Sequence, residues 1–190
     1  MRGKHWLIAI LINFIGLVSN AQDLSESHIN YLKVQIRNSS EARALLRVLN
    51  LSTSNRHKIQ AEYELDIYLV DQLLKKLIAE EEYPRRSNRA TTILEAEYDL
   101  LLNKYYNKLM AMLPESYQKE SLKKSQRAWI KFRDIEKETM SNINLYDPNT
   151  LFIGTIWLDT HNFMKSDLTL KRLKDFYDYM ENYYMRTEGI

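Results

Sequence analysis

LNKYYNKLMAMLPESYQKESLKKSQRAWIKFRD, residues 102–134, decides the fold. On either side of Leu113-Pro114 apolar residues recur every three or four positions: Leu102, Tyr105, Leu109 and Met112 before the break, Leu122, Trp129 and Ile130 after it. That period marks helices with one buried face. Proline lacks a backbone donor and clashes with the preceding turn, so it interrupts a helix, yet it suits the first position of the next one. Two helices joined through Pro114, and therefore antiparallel, are predicted.

The same period extends outward. Ile29, Leu32 and Ile36 share a face between Ser25 and Arg37, and Ala44, Leu45, Val48 and Leu49 share one between Ser40 and Asn50. Ser54 is placed to cap a longer helix whose apolar residues, from Ile59 to Ile78, recur until Tyr83-Pro84. Arg85 to Asn88 reads as a polar linker before a helix over Thr91 to Leu113. The helix after Pro114 carries Leu122, Trp129, Ile130, Phe132 and Met140, and Asn142 to Asn149 forms the longest loop. A last helix, bent near Ser166-Asp167, aligns Trp157, Met164, Leu168, Leu173, Phe176, Tyr177, Met180 and Tyr184. Only 4 Gly and 3 Pro punctuate the chain, and strict alternation is rare, so no strand pattern competes. The expectation is an all-α antiparallel bundle of five to six helices.

A leader precedes it. Met1-Arg2-Gly3-Lys4 is basic, Trp6 to Val18 is apolar apart from Asn13 and Gly16, and Ser19-Asn20-Ala21 supplies small residues for a signal peptidase. The apolar run is shorter than the roughly 20 residues a helix needs to span a bilayer, which favours a signal cleaved after Ala21 over an uncleaved anchor. With no Cys in the chain, a lipid anchor on that residue is excluded. The organisation predicted is a signal peptide over 1–21, a helical segment over 22–88, and a helical domain over 89–190 packed with it as one unit. The mature protein is expected in the periplasm or secreted, with no stable membrane anchor.

Arg2 and Lys4 supply the whole excess of 27 basic over 25 acidic residues, so the mature chain is neutral. A nucleic-acid binder normally carries a clear positive balance, and that class is set aside. Lack of Cys removes disulfides and thiol nucleophiles alike, so packing must hold an exported fold. The 4 His, at 5, 28, 57 and 161, form no His-Glu-x-x-His motif, and no Ser sits in a Gly-x-Ser-x-Gly elbow. Paired carboxylates are plentiful, as in any helical chain with a quarter of its residues charged. No catalytic residue, metal or cofactor is predicted.

The residues that punctuate the opening stretch also follow a known pattern. Asp99, Leu102, Asn103, Tyr106, Leu109, Met110 and Leu113 are followed by Leu122, the run Gln126 to Ile130, Phe132, Arg133 and Asp134, and then by Leu168, Thr169 and Arg172. In these the chain resembles the lysozyme inhibitor LprI-like family of small exported bacterial proteins, over roughly residues 90–185. The resemblance implies a helical, exported, non-catalytic protein whose partner is a lysozyme or another cell-wall hydrolase. Relatives commonly carry Cys near the end of the Trp-Ile helix and upstream of the Leu-Thr segment; Lys137 and Met164 stand there in this chain.

Several polar residues lie on faces that otherwise read as buried. Asp99, Asn103, Gln126, Trp129, Arg133, Asp134 and Arg172 form a candidate network, in which Asp99 or Asp134 pairs with Arg133 or Arg172 while Asn103 and Gln126 bridge the helices. Buried charges need partners and buried amides need bonds, so the network reads first as structural. The same groups, opened to a groove with Trp129 or Trp157 as a floor, would hold a carboxylate or sugar. Among the 13 Tyr, Tyr106 and Tyr177 are expected at the core margin, and Tyr179 and Tyr183 remain open to surface recognition. Two functions follow. One is occlusion of a hydrolase, with Glu80-Glu81-Glu82 or the Asp175, Asp178 and Glu181 stripe as acidic contacts to a cationic enzyme. The other is a structural or ligand-binding envelope protein without inhibitory activity.

Overall fold

The computed structural model describes the backbone of residues 26–80, 86–144 and 155–189, and side chains over 26–80, 90–143 and 160–189. The expected leader and most of the loop after Asn142 lie outside them. The chain is an all-α bundle, and among the described residues there is no strand. Its helices are α1 (26–37), α2 (Ser40–Leu51), α3 (Asn55–Glu80), α4 (Arg86–Met112), α5 (Ser116–Asn144) and α6 (Thr155–Thr187).

The helix ends follow local chemistry. Ser39 Oγ accepts from the Ala42 N–H at 3.1 Å and caps α2. At the start of α3, Ser54 Oγ accepts from the His57 N–H at 3.3 Å. Glu188, just past α6, accepts from the N–H groups of Asn55 and Arg56 and from the Ser54 hydroxyl, at 2.9, 3.4 and 2.6 Å. These bonds, the Ser54 one first, hold the Glu188 carboxyl below its usual range, and they tie the chain's end to α3. A carboxylate suits that position, where free amides and the helix dipole are both positive.

Four expectations need correction. Arg86 to Asn88 belong to α4 rather than to a linker, because polar residues are tolerated in a first turn, where the backbone N–H groups have no partner within the helix. Pro114 lies in the connection, two residues before α5; Glu115 caps that helix, with its N–H donating to Gln118 Oε1 at 3.2 Å, one arm of a capping box. α6 runs unbroken through Ser166, whose buried hydroxyl donates to the Asn162 carbonyl one turn back at 3.1 Å. In α2 the buried residue is Ala42, while Ala44 and Val48 face solvent, because α2 packs its Ala42 side on α3.

α4 occupies the centre. Leu94, Tyr98, Leu102, Tyr105 and Leu109 form its buried stripe, packed on Leu173, Phe176 and Met180 of α6 and on Ile59 and Val70 of α3. A second apolar cluster joins Leu32 and Ile36 of α1 to Leu73 and Leu77 of α3 and Ala90 of α4. Residues on both sides of Pro84 thus share core. Each fully buried Leu or Phe contributes roughly 1.5–3 kcal/mol, so these stripes supply the main driving force. Tyr63 stacks on Tyr177 at 4.3 Å between centroids and meets the edge of Tyr105. Tyr105, fully buried, donates its hydroxyl to Asp66 at 2.9 Å; burial, then the Asp66 charge, pushes its phenol far above the usual range.

Charge placement reinforces this order. The C-terminal half of α4 offers Lys104 and Lys108 to Glu62 and Asp66 on α3, with contacts of 2.5–2.9 Å. Burial raises the Glu62 carboxyl, but the Lys108 and Lys104 ammonium groups outweigh it and hold the group below its usual value. The N-terminal half offers Glu95 to Lys137 of α5 and Glu97 to Lys33 of α1.

Candidate functional site

α5 meets the rest of the bundle mainly through polar side chains. Among its described apolar residues only Leu122 is buried. Inward-facing Gln126, Trp129, Arg133, Lys137 and Met140 recur at helical spacing, and each is half-buried.

Arg172, on α6, is the centre of the inward set and only 6 % exposed. Its Nε donates to Gln126 Oε1 at 3.1 Å and its Nη2 to Ser125 Oγ at 2.8 Å, both on α5. Its Nη1 reaches Asp175 one turn along α6 at 3.3 Å. The guanidinium lies 4.6 Å from the centroid of Phe176 and 6.0 Å from that of Trp129. Arg133 also approaches Trp129, at 5.2 Å from its centroid. It donates to Asp134 beside it and, at 3.4 Å, to Asp99 on α4. Trp129 therefore has two guanidinium groups close to its ring, a contact that its electron-rich face favours.

Six of the seven candidate residues meet in this arrangement; Asn103 does not. It lies on the exposed stripe Ala96, Leu100, Asn103, Asn107 and Ala111 and makes no side-chain bond among the described residues. Gln126 bridges to Arg172 without it. Sequence reasoning missed Ser125 and read Asp175 only as an acidic contact for a partner, although the three-residue spacing of Arg172 and Asp175 on a helix was a usable signal of their pairing. It also missed Ser141 and His161. The Ser141 hydroxyl donates to the Lys137 carbonyl at 2.9 Å and lies 3.2 Å from Nε2 of buried His161, which is then its donor. Burial, then Lys165, pushes this imidazole below its ordinary value. With the Ser proton committed to a carbonyl and no partner on His161 Nδ1, the pair lacks the geometry of a nucleophile and its base. Among the described residues no group of three His, Cys, Asp or Glu side chains is placed to hold a metal ion.

The acidic stripe of α6 is answered within the chain: Asp175 by Arg172, Asp178 by Lys174, and Glu181 by Arg56 of α3. Glu80 bonds His28, and Glu81 and Glu82 lie outside the described residues. What α5 leaves open is apolar. Phe132, Ile135 and Ile143 are 52 %, 64 % and 72 % exposed, and with Ala128 and Thr139 they form one outward stripe. Ile130 borders it.

A family model described as Lysozyme inhibitor LprI matches residues 79–176, just over half of the chain. The chain belongs to the LprI family. No curated protein and no solved structure matches it. The LprI match takes in α4, all of α5 and two thirds of α6, and so contains both the polar arrangement around Trp129 and the outward stripe. α1, α2 and nearly all of α3 precede it. No described helix is long and apolar enough to cross a membrane.

Proposed function

We propose that this protein is an exported, non-catalytic binding module that occludes a lysozyme or related cell-wall hydrolase with the outer face of α5. One observation carries the reading: within the family-matched segment, α5 turns Phe132, Ile135 and Ile143 to solvent although apolar surface gains by burial. Contiguous exposed apolar groups, rimmed by charge, mark interaction surfaces. Lys124, Arg127, Lys131 and Glu138 supply the rim here, and an aromatic residue in the middle is the composition interfaces favour at their centre. The network around Trp129 then holds α5 in place from behind. Residues 22–88 act as one unit with the matched segment, buttressing α4 and α6 through α3. Because the acids of α6 are paired internally, contact area rather than electrostatic steering sets the affinity.

Lysis of a peptidoglycan suspension by c-type and g-type lysozymes, followed by turbidity with and without excess protein, tests this. Protection is expected, and added salt should change it little. Phe132→Glu with Ile135→Lys should abolish protection while leaving helicity and melting temperature intact. Absence of protection by the folded wild-type protein against every enzyme class overturns the occlusion reading; undiminished protection by the double variant overturns the face.

A further inference from the structure

A cavity of about 460 Å³ lies where the end of α4, the start of α5 and the end of α6 converge. Its size falls within the range of small-molecule sites, roughly 300–1,000 Å³. The wall is aromatic, with Tyr117 and Tyr179 at 68 % and 49 % exposure, and Tyr183 held edge-on to Tyr184. Leu109 and Leu122 contribute an apolar floor.

Between the rings the lining is polar and largely unspent. The Ser121 hydroxyl and the Tyr117 and Tyr179 phenols take no partner among the described residues. Asn182 donates to the Asp178 carbonyl and keeps its amide oxygen. Arg186 donates only through Nε, to the Asn182 carbonyl at 3.4 Å, leaving both terminal nitrogens. Arg186 is the sole charged residue in the lining. The cavity beside α1, of about 440 Å³, differs in that its charges balance: Lys33 and Arg37 face Asp66 and Glu97, over an apolar floor.

We propose that the cavity at the α4, α5 and α6 ends binds an acidic saccharide, one sugar ring or two with a carboxylate. Tyrosine rings offer flat faces to the C–H face of a pyranose, and hydroxyl and amide groups at their margin bond its hydroxyls. A planar guanidinium with two free nitrogens fits a carboxylate bidentately. No acid in the lining opposes that charge. An apolar ligand would leave Ser121, Asn182 and Arg186 desolvated without bonds. The site lies on another part of the molecule from the α5 stripe and does not depend on hydrolase occlusion.

The test uses the folded protein with N-acetylmuramic acid and N-acetylglucosamine, which differ by a lactyl carboxylate, followed by calorimetry and by tyrosine NMR shifts. The acidic sugar is expected to bind more tightly by roughly tenfold or more, the ratio set by a charge-assisted hydrogen bond. Arg186→Gln should remove that preference, and Tyr117→Ala with Tyr179→Ala should abolish binding; both rings are exposed, so the fold tolerates their loss, and circular dichroism checks it. Glucuronate, acidic without an acetamido group, separates uronic-acid chains from wall amino sugars as the source of such a ligand. Equal affinity for the neutral sugar, no binding of any acidic sugar, or binding untouched by the tyrosine variants overturns the proposal. So does loss of lysozyme protection in the tyrosine variants without sugar binding in the wild type, which would make these rings a protein contact.

Discussion

Replacing Arg172 by Met tests whether the arrangement around Trp129 is an internal clamp. The guanidinium makes two bonds from α6 to α5, to Gln126 at 3.1 Å and Ser125 at 2.8 Å. Hydrogen bonds to a charged group contribute roughly 1.5–3 kcal/mol each. Both acceptors are partly open to water, which places them at the low end, about 3 kcal/mol for the two. The 3.3 Å contact with half-exposed Asp175 belongs to the class of pairs worth about 0–1 kcal/mol. Stacking on Phe176 adds roughly 0.5–1 kcal/mol. Against these stands the recovered cost of desolvating a nearly buried cation, together with the apolar contacts that Met makes in its place. The net expectation is a loss of about 2–3 kcal/mol, which for a chain of this size lowers Tm by roughly 5–10 °C.

Urea and thermal unfolding, monitored by helical circular dichroism, measure it. The midpoint should fall with the slope unchanged, since the compactness of neither state is altered. A cycle with Gln126→Leu should show a coupling of about 1–2 kcal/mol, because the two side chains share one bond. A loss under about 0.5 kcal/mol, ordinary for a surface substitution, refutes the clamp. Full stability together with lost protection of peptidoglycan would make Arg172 a contact for the partner instead.

Acid should weaken the fold through His161. Its folded pKa is lowered below the ordinary 6.5 by burial, so once pH falls below that value the unfolded chain binds a proton the folded chain refuses, and stability drops. His161→Gln should flatten the Tm against pH between about 7.5 and 5.5; an unchanged slope would place the effect elsewhere. Amide hydrogen exchange should be faster along α5 than along α4 and the middle of α6, because α5 contributes one fully buried apolar residue while α4 contributes a whole stripe. Equal protection of the three helices would show that polar contacts hold α5 as firmly as burial does.

The helices were legible because burial leaves a period. Leu94, Tyr98, Leu102, Tyr105 and Leu109 face one side and are all buried, as the stretch before Pro114 indicated. Helix starts were less legible: the first turn of α4 is Arg-Ser-Asn, a composition equally at home in a linker, and a proline before a helix does not say whether it stands inside the first turn. Rotation was hardest. The inward placement of Asn103 rested on Asp99, Leu100, Tyr106 and Met110, residues spread over about a third of the helix circumference, and Leu100, on the same edge as Asn103, is itself exposed. Phe132 and Ile135 gave no outward sign, since an apolar residue looks the same toward core or solvent until the rotation of its helix is known. The partners of Arg172 depend on a long side chain reaching across a helix interface, which spacing along one helix cannot encode, except for Asp175 on its own element.

α5 joins these threads. The resemblance to the family implies relatives that commonly carry Cys near the places where Lys137 and Met164 stand here, and Cys in both places would allow a covalent tie. Here Met164 faces solvent, and the ties near that level are Lys137 to Glu95 on α4 and Ser141 to buried His161 on α6. A partly exposed ion pair contributes about 0–1 kcal/mol and a neutral hydrogen bond roughly 0.5–1.5 kcal/mol, less than the roughly 2–4 kcal/mol typical of a disulfide. The C-terminal half of α5 is therefore held by small increments, on the same helix that exposes Phe132, Ile135 and Ile143. A face that must bury apolar area on a partner gains from a helix able to adjust its tilt by small amounts, provided Arg172 anchors the N-terminal half. Register is then set at Gln126 and Ser125, where the bonds are charge-assisted, and compliance is left to the turns beyond Arg133, where they are few and near solvent.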